Sequence, residues 1–185
     1  LEEAYSGGKK TIEFSLRDLC RECAGTGAAG QKACQSCGGV GYKTSKKKLS
    51  VNIPAGVKDG SRIRLRGQGA AGSGTGKPGD LWLIVKLLPH QSFTLNGDDI
   101  ESKAKIKPQQ AALGSQISVP TLDGPVMAKV PPMFHSGQKL RLQGKGWRKK
   151  SGGRGDQYVE IIIDIPAALS AEEKSLYQKL MAIGG

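Results

Sequence analysis

The sequence predicts an all-β protein of two like units, with a cysteine-bearing hairpin inserted in the first and a short helix at the end. Three observations carry that reading. The first is an internal repeat: residues 53–69, IPAGVKDGSRIRLRGQG, align without a gap on residues 130–146, VPPMFHSGQKLRLQGKG. Pro54, Gly60, Arg64, Leu65, Gly67 and Gly69 fall on Pro131, Gly137, Arg141, Leu142, Gly144 and Gly146. The second is that short alternating stretches are broken by Gly, Pro and Asp with no long helical period, which suits a β sandwich or partly open barrel in each unit. The third is that all four cysteines lie within residues 20–41.

Each unit can be followed in order. Ala4-x-x-Gly7 followed by TIEFSL resembles Ala111-x-x-Gly114 followed by QISVPT. After the 17-residue repeat comes a Gly-rich loop, then Gly79-Asp80 or Gly155-Asp156, then an apolar strand, LWLIVKLLP in one case and QYVEIIIDIP in the other. The units differ at one connection. In the second, QISVPTL turns through Asp123-Gly124-Pro125 and returns as VMAKVP, a short D-G hairpin. In the first, the equivalent strands TIEFSL and KLSVNIP are separated by residues 17–47. The cysteine segment therefore replaces a hairpin tip and projects from the sheet as an appendage.

That segment, CRECAGTGAAGQKACQSCGGVG, carries C-x-x-C-x-G-x-G twice. Two cysteines three positions apart in a glycine-rich turn can aim both sulfurs at one centre, and two such turns facing each other supply four thiolates for a tetrahedral metal site. A redox dithiol needs only one C-x-x-C beside a βαβ pattern, which is absent nearby. Four cysteines in 185 residues are too sparse for a secreted disulfide scaffold. The reading is one structural zinc per chain held by Cys20, Cys23, Cys34 and Cys37. A closed all-thiolate site folds its hairpin and does not by itself name a function.

A net charge of +12 raises the question of nucleic acid. Lys46, Lys47 and Lys48 form one run and Arg148, Lys149 and Lys150 another, while Arg62, Arg64 and Arg66 alternate with Ile63 and Leu65. The alternation reads as the solvated face of a half-buried strand, and the aromatics that single-strand binders interleave are scarce. The sequence contains no apolar run of spanning length and no secretory leader. It begins abruptly at LEEAYSGG without an initiator Met, as a fragment would, and reduced metal-bound cysteines point to a cytosol-like compartment. At the end, Ser170 and Glu173 have capping-box spacing, and Leu176, Tyr177, Leu180 and Met181 form a stripe on a short helix. That stripe can dock on its own unit or on a second chain.

CRECAGTG, CQSCGGVG, KKLSVNIPAGVKDGSRIRLRGQG, AALGSQISVPTLDG and LSAEEKSLYQKL together resemble the carboxy-terminal, substrate-binding half of DnaJ-type co-chaperones, over essentially the whole chain. The resemblance implies two tandem β-sandwich substrate-binding domains at residues 1–94 and 95–169, with the zinc hairpin at 20–41 in the first. It implies a dimerising helix at 170–185, so that Leu176, Tyr177, Leu180 and Met181 join a homodimer. It also implies unfolded client polypeptides and a DnaK-type chaperone as partners and a cytoplasmic stress-response role, while the residues themselves argue against a membrane and make nucleic acid an unlikely partner. An extended client would add to an apolar groove lined by Ile12, Phe14, Leu49 and Phe93. Members with a complete zinc region carry four cysteine repeats and two zincs, whereas this chain has the outermost two repeats. No His-Pro-Asp triplet, and hence no J-domain, is present at His90 or His135. For Ile12 and Phe14 the competing role is core packing beside Leu16.

Three classes of function compete: a client-binding chaperone module, a zinc-ribbon nucleic-acid binder and a thiol oxidoreductase. The oxidoreductase requires a free thiolate, which metal-bound sulfurs do not provide. Neither a Ser/His/Asp set nor paired catalytic carboxylates stand out, and GAAGSGTGKPG lacks P-loop spacing. The first class is the one the sequence favours, with no enzymatic activity expected.

Overall fold

The computed structural model describes residues 1–70, 77–149 and 152–184. Most of the Gly-rich stretch at 69–79 and Lys150 of the second basic run lie outside them. The chain forms two compact units, Leu1–Pro89 and His90–Gly185.

In the first unit a short helix, α1 (Glu2–Ser6), leads into β1 (Gly8–Leu19), which pairs antiparallel with β4 (Tyr42–Ile53) along its whole length. Twelve residues per strand make a ribbon about 40 Å long. At its distal end sit two two-residue strands, β2 (Ala28–Ala29) and β3 (Lys32–Ala33). A second pair, β5 (Arg62–Leu65) and β6 (Leu81–Ile84), completes the unit. Along β5, Arg62 and Arg64 are exposed while Ile63 and Leu65 are half-buried, as the alternation predicts.

The second unit repeats this plan with one strand pair more. β7 (Thr94–Asn96) and β8 (Asp99–Ile106) precede α2 (Pro108–Leu113). The hairpin β9 (Ser115–Val119) and β10 (Val126–Val130) follows, then β11 (Lys139–Leu142) and β12 (Gln157–Ile163). The four-stranded sheet has the order β11-β12-β8-β7, with β12 and β8 parallel. Ile106 of β8, Val119 and Val130 of the hairpin, Ala111 of α2 and Val159 and Ile161 of β12 form one buried cluster. Sheet, hairpin and helix are thus layers over a common core.

The repeat seen in the sequence is a repeat of hydrogen bonds. Asp80 accepts from the Gly67 amide at 2.8 Å and from Arg64 Nε at 2.6 Å. Asp156 accepts from the Gly144 amide at 2.7 Å and from Arg141 Nε at 2.8 Å. Each carboxylate closes the turn after its arginine-bearing strand, and in each case the glycine amide first, then the arginine, holds the carboxyl below its ordinary value. The amides of Gly60 and Gly137 donate to Val85 and Ile161 at 2.8 Å in both units. Backbone conformation also matches: Gly56 and its counterpart Met133 both have positive φ, 76° and 57°.

The D-G connection of the second unit is a tight turn in which Thr121 and Gly124 exchange backbone hydrogen bonds. Five-residue strands lead into it, against twelve in the first unit. The cysteine segment does stand in place of a simple hairpin tip, on a ribbon more than twice as long.

α3 (Ala171–Ile183) starts with the capping box: the Glu173 amide donates to Ser170 Oγ at 3.1 Å and the Ser170 amide to Glu173 Oε2 at 3.0 Å. It is tied to its own unit by Tyr177 Oη donating to Gln109 and by a Lys107–Glu173 ion pair. Among the described residues no helix is long and apolar enough to cross a membrane.

Candidate functional site

The cysteine hairpin is built from two knuckles with the same hydrogen-bond pattern. In each, the final glycine of C-x-x-C-x-G-x-G donates its amide to the second cysteine: Gly27 to Cys23 Sγ at 3.3 Å and Gly41 to Cys37 Sγ at 3.2 Å. The knuckles interlock through backbone. A Cβ on Gly27 would lie 2.3 Å from the Gly39 carbonyl oxygen, and one on Gly41 would lie 2.5 Å from that of Gly25. Both glycines also hold positive φ, 75° and 80°. These positions therefore exclude any side chain, on steric and on conformational grounds.

The four sulfurs lie within 4.8 Å of one another, with Cys20–Cys34 at 3.9 Å and Cys23–Cys37 at 3.8 Å. Those separations are far beyond a disulfide's ~2.05 Å. They match the ~3.8 Å edge of a tetrahedron whose sulfurs lie ~2.3 Å from a central ion. Cys20, Cys23 and Cys34 are buried and Cys37 is half-buried. The Cys23 amide pulls the Cys20 thiol down to about 6, while burial pushes the Cys34 thiol up to about 11. Four sulfurs this close cannot all be thiolates without a cation among them. The geometry and the donated amides fit a metal ion, which Cys20, Cys23, Cys34 and Cys37 together can hold.

Proximal to the hairpin, one face of the β1–β4 ribbon carries an apolar row. Ile12 lies directly across from Leu49, and Phe14 and Leu16 follow at the next positions of the same face, opposite Lys47 and Ser45. Ile12, Phe14, Leu16 and Leu49 are all half-buried, each neither enclosed nor fully open. The opposite face, with Thr11, Glu13, Ser15 and Arg17 across from Ser50, Lys48, Lys46 and Thr44, is exposed and polar. Three of the four expected groove residues thus share one face of the ribbon. Phe93 belongs to the second unit, where it is 8% exposed and stacked on His90 with ring centroids 5.0 Å apart. Its amide and that of Ser92 both donate to His90 Nδ1.

On α3, Leu176, Tyr177 and Leu180 line a shallow apolar depression of ≈ 360 Å³ together with Ile183 and Gln109. Ile183 extends the expected stripe by one turn. Met181 is 76% exposed and outside the depression. The Asp80 and Asp156 anchors were visible in the sequence only as a repeated Gly-Asp pair, with nothing to show what they hold.

Residues 1–166 match the family model of the DnaJ C terminal domain. A chaperone protein DnaJ from Halalkalibacterium halodurans is 41% identical over 91% of this chain and 46% of its own length. One from Clostridium beijerinckii is 46% identical over 99% of this chain and 60% of its own length. That alignment runs over 228 positions against a chain of 185 residues, so the relative carries residues within the matched region that this chain lacks. A protein of Pseudomonas putida named curved DNA-binding protein is 41% identical over 97% of this chain and 52% of its own. The chain spans about half the length of the relatives it matches. With the repeated fold, the paired cysteine knuckles and these matches in agreement, the chain belongs to the DnaJ C-terminal domain family, a chaperone family and not an enzyme family.

Proposed function

We propose that this chain is the client-binding part of a co-chaperone: it holds unfolded polypeptides on the apolar face of the β1–β4 ribbon for handover to a DnaK-type chaperone. The observation that carries the reading is the row of Ile12, Phe14 and Leu49, half-open on one ribbon face. An extended segment that hydrogen-bonds to a strand edge is recognised without regard to sequence, and shallow pockets for alternate side chains favour apolar segments. Phe93, stacked on His90, is proposed as the fourth residue of the client contact.

The cysteine centre is proposed to hold one zinc per chain, the metal that four thiolates at this spacing favour. Its part is to fold the hairpin. The two inner cysteine repeats of longer family members are missing here, in keeping with the longer matched region of the Clostridium relative, so the second zinc is not proposed. α3 is proposed to pair two chains through Leu176, Tyr177, Leu180 and Met181, with Ile183 joining the same surface. A thiol-reducing, cytoplasmic setting is the one in which the four cysteines stay available to the metal.

A second reading, nucleic-acid binding, is favoured by the net charge of +12 and by the Pseudomonas relative's name. Salt separates the two. Titration with a permanently unfolded, alkylated protein should give affinity that persists as salt is raised, because apolar burial does not release counterions. Duplex DNA bound more tightly than the unfolded protein at low salt, with unfolded-protein binding lost at high salt, would favour the second reading.

A further inference from the structure

The outer face of β5 and β6 is a surface that neither the client reading nor the cysteine centre uses. Across the strand pair, Arg62 lies opposite Ile84 and Arg64 opposite Trp82. The chain stays extended past β6: the Val85 amide donates to Ser61, its carbonyl accepts from Gly60, and the Leu87 amide donates to Asp59 at 2.6 Å. The period of two therefore continues. Leu81, Leu83, Val85 and Leu87 are half-buried, while Trp82, Ile84, Lys86 and Leu88 are exposed. Trp82 is 54% exposed, and Ile84 and Leu88 are 71% each. From Trp82 to Leu88 the stripe runs about 20 Å.

Cations flank this stripe. Arg64 is paired with Asp80 and lies over the Trp82 ring, 5.6 Å from its centroid. Among the described residues Arg62, Arg66 and Lys86 form no ion pair. The second unit treats the same positions differently. There Tyr158, Glu160, Ile162 and Asp164 stand in place of Trp82, Ile84, Lys86 and Leu88, and Glu160 and Asp164 pair with Lys103 and Lys105. One face neutralises its own charge; the other leaves unpaired cations beside exposed apolar side chains.

We infer that the outer face of β5–β6 is a peripheral contact for an anionic lipid bilayer, in which Trp82, Ile84 and Leu88 enter the headgroup boundary and Arg62, Arg66 and Lys86 meet the anionic headgroups. A bilayer surface matches both halves of the face. Tryptophan is at home at the headgroup level, where one side of its surroundings is apolar and the other wet. Isoleucine and leucine beside it reach the acyl boundary, and arginine and lysine are drawn to anionic lipid. A single-stranded nucleic acid would use the cations and one ring, but Ile84 and Leu88 offer its bases no stacking surface. An unfolded client would use the apolar side chains and leave the cations unmatched. The contact is interfacial, so it needs no spanning helix. It lies on other strands than the β1–β4 face proposed for clients, and the two are separable by substitution.

Fluorescence reads the contact directly, because Trp147 is fully buried and Trp82 is the exposed tryptophan of the two. The chain is mixed with vesicles of phosphatidylcholine alone, or of phosphatidylcholine with an equal part of phosphatidylserine. The expected result is a blue shift of Trp82 emission and cosedimentation with the second vesicle only, both weakened as salt is raised. Arg62→Gln with Lys86→Gln should lower the partition about tenfold, and Ile84→Ser with Leu88→Ser by a similar factor. Phe14→Ser, on the client face, should bind vesicles as the unaltered chain does. All four substituted positions of the double variants are exposed, and an unchanged thermal midpoint checks that each protein keeps its fold. No shift and no cosedimentation with either vesicle, or cosedimentation that both double variants retain in full, would overturn the proposal. A Trp82 response to a single-stranded oligonucleotide or to unfolded protein that anionic vesicles fail to displace would also overturn it, assigning the face to that partner.

Discussion

Replacing Gly41 by alanine is expected to weaken the cysteine centre far more than replacing Gly38, though both residues have positive φ, 80° and 64°. The shared conformational cost is about 1–2 kcal/mol. It is demonstrably tolerated at the Gly38 position, because Ala24, its counterpart in the first knuckle, has φ 50° with a Cβ in place. A Cβ on Gly38 meets nothing within 4 Å. A Cβ on Gly41 would meet the Gly25 carbonyl oxygen at 2.5 Å and carbon at 3.2 Å, both backbone atoms of the facing knuckle. Overpacking of that kind costs about 1–3 kcal/mol, and separating the knuckles also parts Cys20 from Cys34 and Cys23 from Cys37, the sulfur pairs that span them. Because metal binding and folding of such a hairpin are one equilibrium, the added cost falls on metal affinity, about tenfold to a hundredfold at 1.4 kcal/mol per decade. The assay is zinc competition against a chromophoric chelator under reducing conditions. Equal zinc affinity in the Gly41→Ala and Gly38→Ala proteins would refute the interlock as the reason for the glycine.

Met133→Gly should stabilise the second unit by about 0.5–1 kcal/mol, the relief of a positive φ net of glycine's greater freedom in the unfolded chain; Met133 is 72% exposed, so little burial is lost, and an unchanged or lowered thermal midpoint would contradict it. Acid should destabilise both units, since the Asp80 and Asp156 carboxyls are held below their ordinary value of 3.8. A depressed folded value contributes stability above the ordinary range that is lost as pH falls through the lowered one. Urea midpoints between pH 6 and pH 3 should therefore fall less steeply in a protein carrying Asp80→Asn and Asp156→Asn, and parallel slopes would count against the anchors. Deleting residues 170–185 should turn a dimer into a monomer in sedimentation; an intact chain already monomeric at roughly tens of micromolar, where about −6 kcal/mol of association suffices, would remove α3 from the interface.

What was legible in the sequence was whatever rests on local rules. RIRL and KLRL show a period of two because one face of each strand is half-buried, and Ser170 with Glu173 marks a helix start because the two side chains cap each other's backbone. The cysteine spacing needs only a turn to bring four sulfurs together. What was not legible depends on distant partners. The strand DIESKAKI gives little sign of its place between β12 and β7, because its lysines reach the sheet surface while parallel pairing is set by residues 57 positions away. The resemblance alone placed Phe93 in the groove, and its stacking on His90, three residues earlier, has no signal in the sequence. The left-handed backbone at Met133 has no signal in its own residue type; only the glycine at the matching position of the first unit points to it.

The central claim is that the β1–β4 face holds clients, and binding of an unfolded protein by Phe14→Ser, beside the unaltered chain, tests it most directly. Phe14 is half-buried opposite Lys47, so the substitution removes an apolar contact surface without opening an enclosed core. The account predicts binding weakened by about tenfold or more, for the loss of ~1.5–3 kcal/mol when a large side chain is fully used and less when it is partly open, with zinc content and thermal midpoint retained. A Phe14→Ser protein that keeps its fold and its zinc and binds the unfolded protein as tightly as before would contradict it.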